Sequence, residues 1–119
     1  MLTLEEVLND FADDADLDPA EVTLFSRNVK GETALHYMAY LGDPPAIRIL
    51  VSNGAEISAV DNQGNSPLHV AVAYRHQRTA HELVKLGANL ELRNAADQTP
   101  RDVAFLDENV EMVALLQPN

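Results

Sequence analysis

Gly31-Glu-Thr-Ala-Leu-His36, Gly64-Asn-Ser-Pro-Leu-His69 and Asp97-Gln-Thr-Pro-Arg-Asp102 are three versions of one phrase, each starting 33 residues after the last. The register persists downstream: Gly54-Ala55 recurs as Gly87-Ala88, and Leu50, Leu83 and Leu116 share the same spacing. A fixed period of this length is the mark of stacked units, because one unit cannot bury its own apolar face and needs a neighbour to do so. The fold expected is mainly α, a solenoid of helix-turn-helix units joined by extended connections. A solenoid has no central chamber, so the functional question becomes which partner the chain meets.

Within a unit, each residue type has a local reason. Ser66 and Thr99 are suited to cap a helix start by accepting an orphan backbone N–H. Pro67 and Pro100 then take the first helical position, where no donor is needed. In the first copy Thr33 caps and Ala34 replaces the proline. Leu35, Met38 and Ala39, matched by Leu68, Ala71 and Val72, have helical spacing and face a neighbouring unit. Asp43-Pro44 opens a second helix whose apolar stripe is Ile47, Leu50 and Val51, matched in part by Leu83 and Val84. Gly54 and Gly87 follow the helix ends, where a positive φ is wanted.

These phrases resemble the ankyrin repeat, with its 33-residue period and T-P-L-H-x-A motif. The carriers are Thr33–Met38, Ser66–Ala71 and Thr99–Ala104, with the stretch from Leu50 to Ala55 and, more loosely, Leu83 to Ala88 matching further on. The resemblance covers roughly residues 25–117. It implies an ankyrin-repeat solenoid: paired antiparallel helices with a β-turn finger projecting between neighbours. The expected divisions are an N-terminal cap or half-repeat at 1–30, repeats at 31–63 and 64–96, and a C-terminal capping repeat at 97–119, together one domain. Two departures stand out. Arg75 and Glu108 occupy the family's glycine position after the first helix, so either those turns are remodelled or a non-glycine residue bears strain. Arg101-Asp102 replaces Leu-His, which suits a terminal unit whose outer side meets water.

The first thirty residues carry eight acids against Arg27 and Lys30, which is −6 of the net −11. Such a chain is a poor match for phosphate backbones or an anionic membrane. Acidity keeps a small bacterial-type protein soluble and steers any basic partner toward this surface. Thr3-x-x-Glu6 is a capping-box pattern, and Leu4, Val7, Leu8 and Phe11 follow at helical spacing, predicting a helix over 4–12 that covers the first repeat. Asp18-Pro19-Ala20-Glu21 repeats the start signals and could open a short second helix, after which Val22, Leu24 and Phe25 should dock. No apolar run spans a membrane and the acidic N-terminus lacks a signal pattern, so a cytoplasmic location is expected. There is no cysteine, hence no disulfide or thiolate chemistry.

No catalytic motif is present, neither a P-loop, nor G-x-S-x-G, nor H-E-x-x-H, and the chain is read as a non-enzyme without cofactor. His36 and His69 share one repeat position, which argues for packing; in the ankyrin family that residue bonds the turn region and the neighbouring repeat. His76 and His81 are five apart, on different helix faces, so they do not form a metal pair. Asp14-x-Asp16-x-Asp18 has the opening spacing of a calcium loop, but Pro19 stands where the turn needs glycine and Phe25 where the bidentate glutamate belongs. No metal is expected.

Ankyrin proteins are known chiefly as protein-binding scaffolds, contacted at the finger tips and the exposed side of the first helices. Carried onto this chain, the resemblance implies a partner surface of Tyr40 and Leu41; Val60, Asn62, Gln63 and Asn65; Ala73 and Tyr74; Arg93, Ala95, Ala96 and Gln98; and Leu106. Asn28, Asp61 and Asn94 are left out because that position serves the turn itself. Two of the chain's three tyrosines fall in this set, and tyrosine gives large contact area at low entropy cost. The function expected is a monomeric protein-protein interaction module with a protein partner, and the acidic charge suits a basic one. Two alternatives stay open: an acidic inhibitor or immunity-type protein neutralising a basic toxin or enzyme, and a self-associating structural scaffold.

Overall fold

Four Thr/Ser residues open four helices in the same way. In the computed structural model, which describes residues 1–117, Thr3, Thr33, Ser66 and Thr99 are extended at the N-cap. Each accepts the N–H of the residue three positions on, and that residue's side chain returns to the cap N–H. This reciprocal box satisfies two orphan donors at once. In the first copy the returning group is Glu6, in the middle copies His36 and His69, and in the last Asp102.

The elements in order are α1 (Leu4–Ala15), α2 (Ala34–Leu41), α3 (Pro44–Ser52), α4 (Pro67–Ala73), α5 (Gln77–Lys85), α6 (Pro100–Leu106) and α7 (Val110–Leu115). No strand occurs among the described residues. Helices this short are marginal alone, so packing must hold them. The pairs α2/α3, α4/α5 and α6/α7 are the units. Their first helices stack as α2 on α4 on α6, and α3 stacks on α5. The molecule measures 41 × 30 × 20 Å.

The core is one strip running through the stack. Leu35, Met38 and Ala39 of α2, Leu68, Ala71 and Val72 of α4, Ile47, Leu50, Leu83 and Met112 of the second helices, and Leu116 just past α7 are all buried in it. Ala39 and Ala71 are fully buried, and their small size lets first helices approach closely. Val51 and Val84 are only half-buried. At the N-terminal end α1 packs on both α2 and α3, inserting Val7, Phe11 and Ala12. Phe11 lies 6.0 Å from the Tyr37 ring.

Four expectations need correction. The first helix runs to Ala15 rather than stopping at residue 12, ending at Asp16 in left-handed conformation. Asp18–Glu21 forms a single turn instead of a helix: the Asp18 carboxylate accepts the Ala20 N–H and its carbonyl accepts those of Glu21 and Val22. Val22 and Leu24 pack against the core, but Phe25 is 63% exposed and does not dock. The outer side of the last unit is not uniformly polar, since Phe105 is 71% and Val110 78% exposed. The last two positions of the expected 97–119 unit lie outside the described residues.

The two missing glycines resolve to strain. Arg75 has φ 63° and Glu108 φ 55°. The turns are not remodelled: His76 N–H reaches the Ala71 carbonyl (2.9 Å) and Asn109 N–H that of Ala104 (2.9 Å), as Ala55 does to Leu50 and Ala88 to Leu83 at the glycine ends. This six-to-one bond defines the Schellman closure, which requires the left-handed residue whatever its side chain.

Candidate partner-binding surface

The fingers are built around one amide or carboxylate each. Asn28 Oδ1 accepts the N–H of Lys30 and Glu32, Asp61 Oδ1 those of Gln63 and Asn65, and Asn94 Oδ1 those of Ala96 and Gln98. An Asx side chain bonding its own backbone two residues on makes a turn that needs no strand partner. The fingers then tie to each other in register: Asn62 N–H donates to the Lys30 carbonyl (3.0 Å) and Ala95 N–H to that of Gln63 (2.9 Å). Arg27 Nη1 donates to Gly31 and, across to the next finger, to Val60 (2.7 Å).

Histidines lock successive units. His36 Nδ1 accepts the Thr33 N–H, and its Nε2 donates to the Asn65 carbonyl of the next finger (2.8 Å). His69 repeats this with Ser66 and the Gln98 carbonyl (2.8 Å). A carbonyl can only accept, so Nε2 carries the proton and Nδ1 is the bare acceptor, a neutral ring. Burial pulls both imidazoles below their usual value, outweighing the carbonyl bonds that favour the charged form. His76 makes a third link, its Nε2 donating to the Tyr40 carbonyl (2.8 Å). In the last unit Asp102 accepts the Thr99 N–H (3.0 Å), and that bond holds its carboxyl below the ordinary range. Asp16 and Asp18 are spent on a helix end and a turn, and among the described residues no group of three metal-ligating side chains converges.

This framework leaves a ridge of first-helix ends. Tyr40 (47% exposed) and Tyr74 (56%) meet edge to face, centroids 4.8 Å apart at 90°. Leu41, Ala73 and Leu106 are exposed beside them, and Arg75 pairs with Asp107 at 3.0 Å. On the fingers, Val60, Asn62, Gln63, Ala95 and Ala96 are exposed. Four members of the expected surface have internal work. Asn65 is half-buried and takes a bond from Asn94 Nδ2 (2.9 Å). Gln98 is half-buried, with its carbonyl given to His69. Arg93 donates to the Asp97 carbonyl (3.0 Å) and sits 3.7 Å from Asp102. Asn62, though exposed, donates to the Val29 carbonyl and packs against Gly31. The expected partner surface leaves out Val29, at the tip of the first finger and 94% exposed, and the exposed Phe105. Counting 33 back from Phe105 reaches buried Val72 and Ala39, a signal that was available.

Known proteins carry similar sequences. A family model described as ankyrin repeats (3 copies) matches residues 6–94. An ankyrin repeat-containing protein of Saccharomyces cerevisiae is 30% identical over 125 aligned residues, covering 94% of this chain and 68% of its own length. A tyrosine-protein kinase of Hydra vulgaris is 31% identical over 93 residues, covering 76% of this chain. A diacylglycerol kinase zeta of Rattus norvegicus is 29% identical over 111 residues. The chain spans 12% of the length of each kinase. No helix among the described residues is long and apolar enough to cross a membrane.

Proposed function

Because the chain belongs to the ankyrin-repeat family, whose repeats are generally protein-protein interaction modules, we propose that it is a non-enzymatic module that binds one partner protein through the concave finger and first-helix surface. The observation that carries this is the exposed, mutually packed pair Tyr40–Tyr74, flanked by Leu41 and Leu106. Each ring is held by the other, so little side-chain entropy remains to be lost when a partner covers them. Fingers tied by backbone bonds add a second preformed edge, where Val60, Gln63, Ala95 and Ala96 supply contact and Asn62 and Arg93 supply polarity. Asn65 and Gln98 contribute through the shape of the floor between fingers and helices.

The test is affinity capture from the native host with wild type beside a Tyr40→Ala/Tyr74→Ala variant. A protein retained by the wild type and lost by the variant supports the ridge as the site. Equal recovery on both baits places the site elsewhere and refutes the assignment.

A second reading has its own support. The acidic first thirty residues, with Glu5, Glu6, Asp10 and Asp13 exposed along α1, favour an inhibitor or immunity-type role toward a basic toxin or enzyme. Association would then be steered by charge and slow steeply with salt. Salt-independent association removes this reading and leaves the first intact.

A further inference from the structure

We propose a second docking surface on the α6–α7 hairpin, adjoining the ridge at Leu106 and centred on Phe105 and Val110: an apolar patch with carboxylates at its rim that takes an amphipathic helical segment with basic flanks. Of the seven residues Phe105 to Glu111, three are large, apolar and open: Phe105 (71% exposed), Leu106 (66%) and Val110 (78%). Three more are acids: Asp107 is paired with Arg75, while Glu108 and Glu111 are exposed at the rim. Single exposed apolar residues are ordinary, but three crowded on one hairpin are not.

The repeat register says what does not cover the patch. Ala39 and Val72, the counterparts of Phe105, are fully buried between stacked first helices, and their size sets the spacing. Phe105 would hold a further first helix away from that spacing. Arg101 stands where Leu35 and Leu68 are buried, and its Nε is already withdrawn from water without an acceptor. Stacking another unit would bury more of that charged side chain, which is costly. The face is thus unsuited to another repeat in the stack geometry.

The charges say what does. Two copies meeting here would set Glu108 and Glu111 against their own equivalents, a like-charge contact. A basic rim around an apolar stripe meets both features of the patch, with leucine-type side chains on Phe105 and Val110 and lysines over Glu108 and Glu111. Helix-in-groove recognition uses this division, apolar anchors for affinity and charges for orientation.

The full chain is titrated with a short fluorescein-labelled amphipathic helical peptide of leucine and lysine, and with its glutamate-for-lysine counterpart. Anisotropy gives affinity and amide chemical shifts give location. Binding of the lysine peptide alone, with shifts centred on residues 100–115, is expected. Phe105→Ala/Val110→Ala should weaken it about tenfold or more. Glu108→Gln/Glu111→Gln should weaken it and flatten its salt dependence, whereas Tyr40→Ala/Tyr74→Ala should leave it unchanged. Since Phe105 and Val110 are exposed, their loss leaves the core intact. Shifts centred on α1 or on the tyrosine ridge overturn the proposal, as does undiminished binding by Phe105→Ala/Val110→Ala. Concentration-dependent association of the free chain that this variant abolishes would assign the patch to a second copy and also overturn it.

Discussion

Gly64→Ala should cost about 2–3 kcal/mol, and the figure can be assembled from two separate terms. Gly64 has φ +76°, and a side chain in that region costs about 1–2 kcal/mol. Its Cβ would also come within 2.9 Å of the Ala95 amide nitrogen and 3.1 Å of Asn94 Cα. That neighbour is backbone, which cannot rotate aside, so the second and third fingers must part. Parting them strains the bond from Ala95 N–H to the Gln63 carbonyl, worth about 0.5–1.5 kcal/mol. Gly54 separates the terms, because at φ +103° its Cβ meets nothing within 4 Å. Gly54→Ala therefore reports the backbone term alone, about 1 kcal/mol. Asp97, the third member of the series, has φ 61° with its side chain 86% exposed, so the residue is tolerated at the backbone cost only. The assay is urea unfolding followed by far-ultraviolet circular dichroism. Equal losses for Gly64→Ala and Gly54→Ala would refute the idea that finger-to-finger contact demands glycine.

Three further outcomes are expected. Phe11→Ala empties a fully buried position under α1 and should cost about 3–5 kcal/mol, whereas a loss below about 1 kcal/mol would show that α1 does not seal the first repeat. His36 and His69 have lowered native values, so the unfolded chain binds their protons more readily. Their contribution is complete above about pH 6.5 and declines as pH falls below it; an unchanged urea midpoint between about pH 7 and pH 5.5 contradicts the neutral-ring assignment. Glu108→Gly should raise the urea midpoint by roughly 0.5–1 kcal/mol of stability by releasing a left-handed side chain, and a loss there would deny the strain.

Helix starts were legible because each is a local matter. A Ser or Thr cap followed by proline reads the same in sequence and in space, as at Ser66-Pro67 and Thr99-Pro100. The histidine role was legible only through its recurrence at positions 36 and 69. Asp18-Pro19 misled because start signals alone do not make a helix: the Asx turn satisfies the backbone in a single turn. Phe25 shows that apolarity does not dictate docking. The bonds that occupy Asn65 and Arg93 come from Asn94, Asp97 and Asp102, and no motif records how side chains divide their partners. The tyrosine contact likewise crosses two units, from Tyr40 to Tyr74, and depends on helix spacing that only packing sets.

The account turns on a surface that is rigid before any partner arrives. Amide hydrogen exchange on the full chain, alone and with the partner captured by the wild-type bait, tests this directly. Added protection should fall on the segments carrying Tyr40–Leu41, Val60–Asn65, Ala73–Tyr74 and Arg93–Gln98, with the buried helices already protected in the free protein. Protection spreading through all helices on binding, or gathering on α1 with the fingers unchanged, would contradict it.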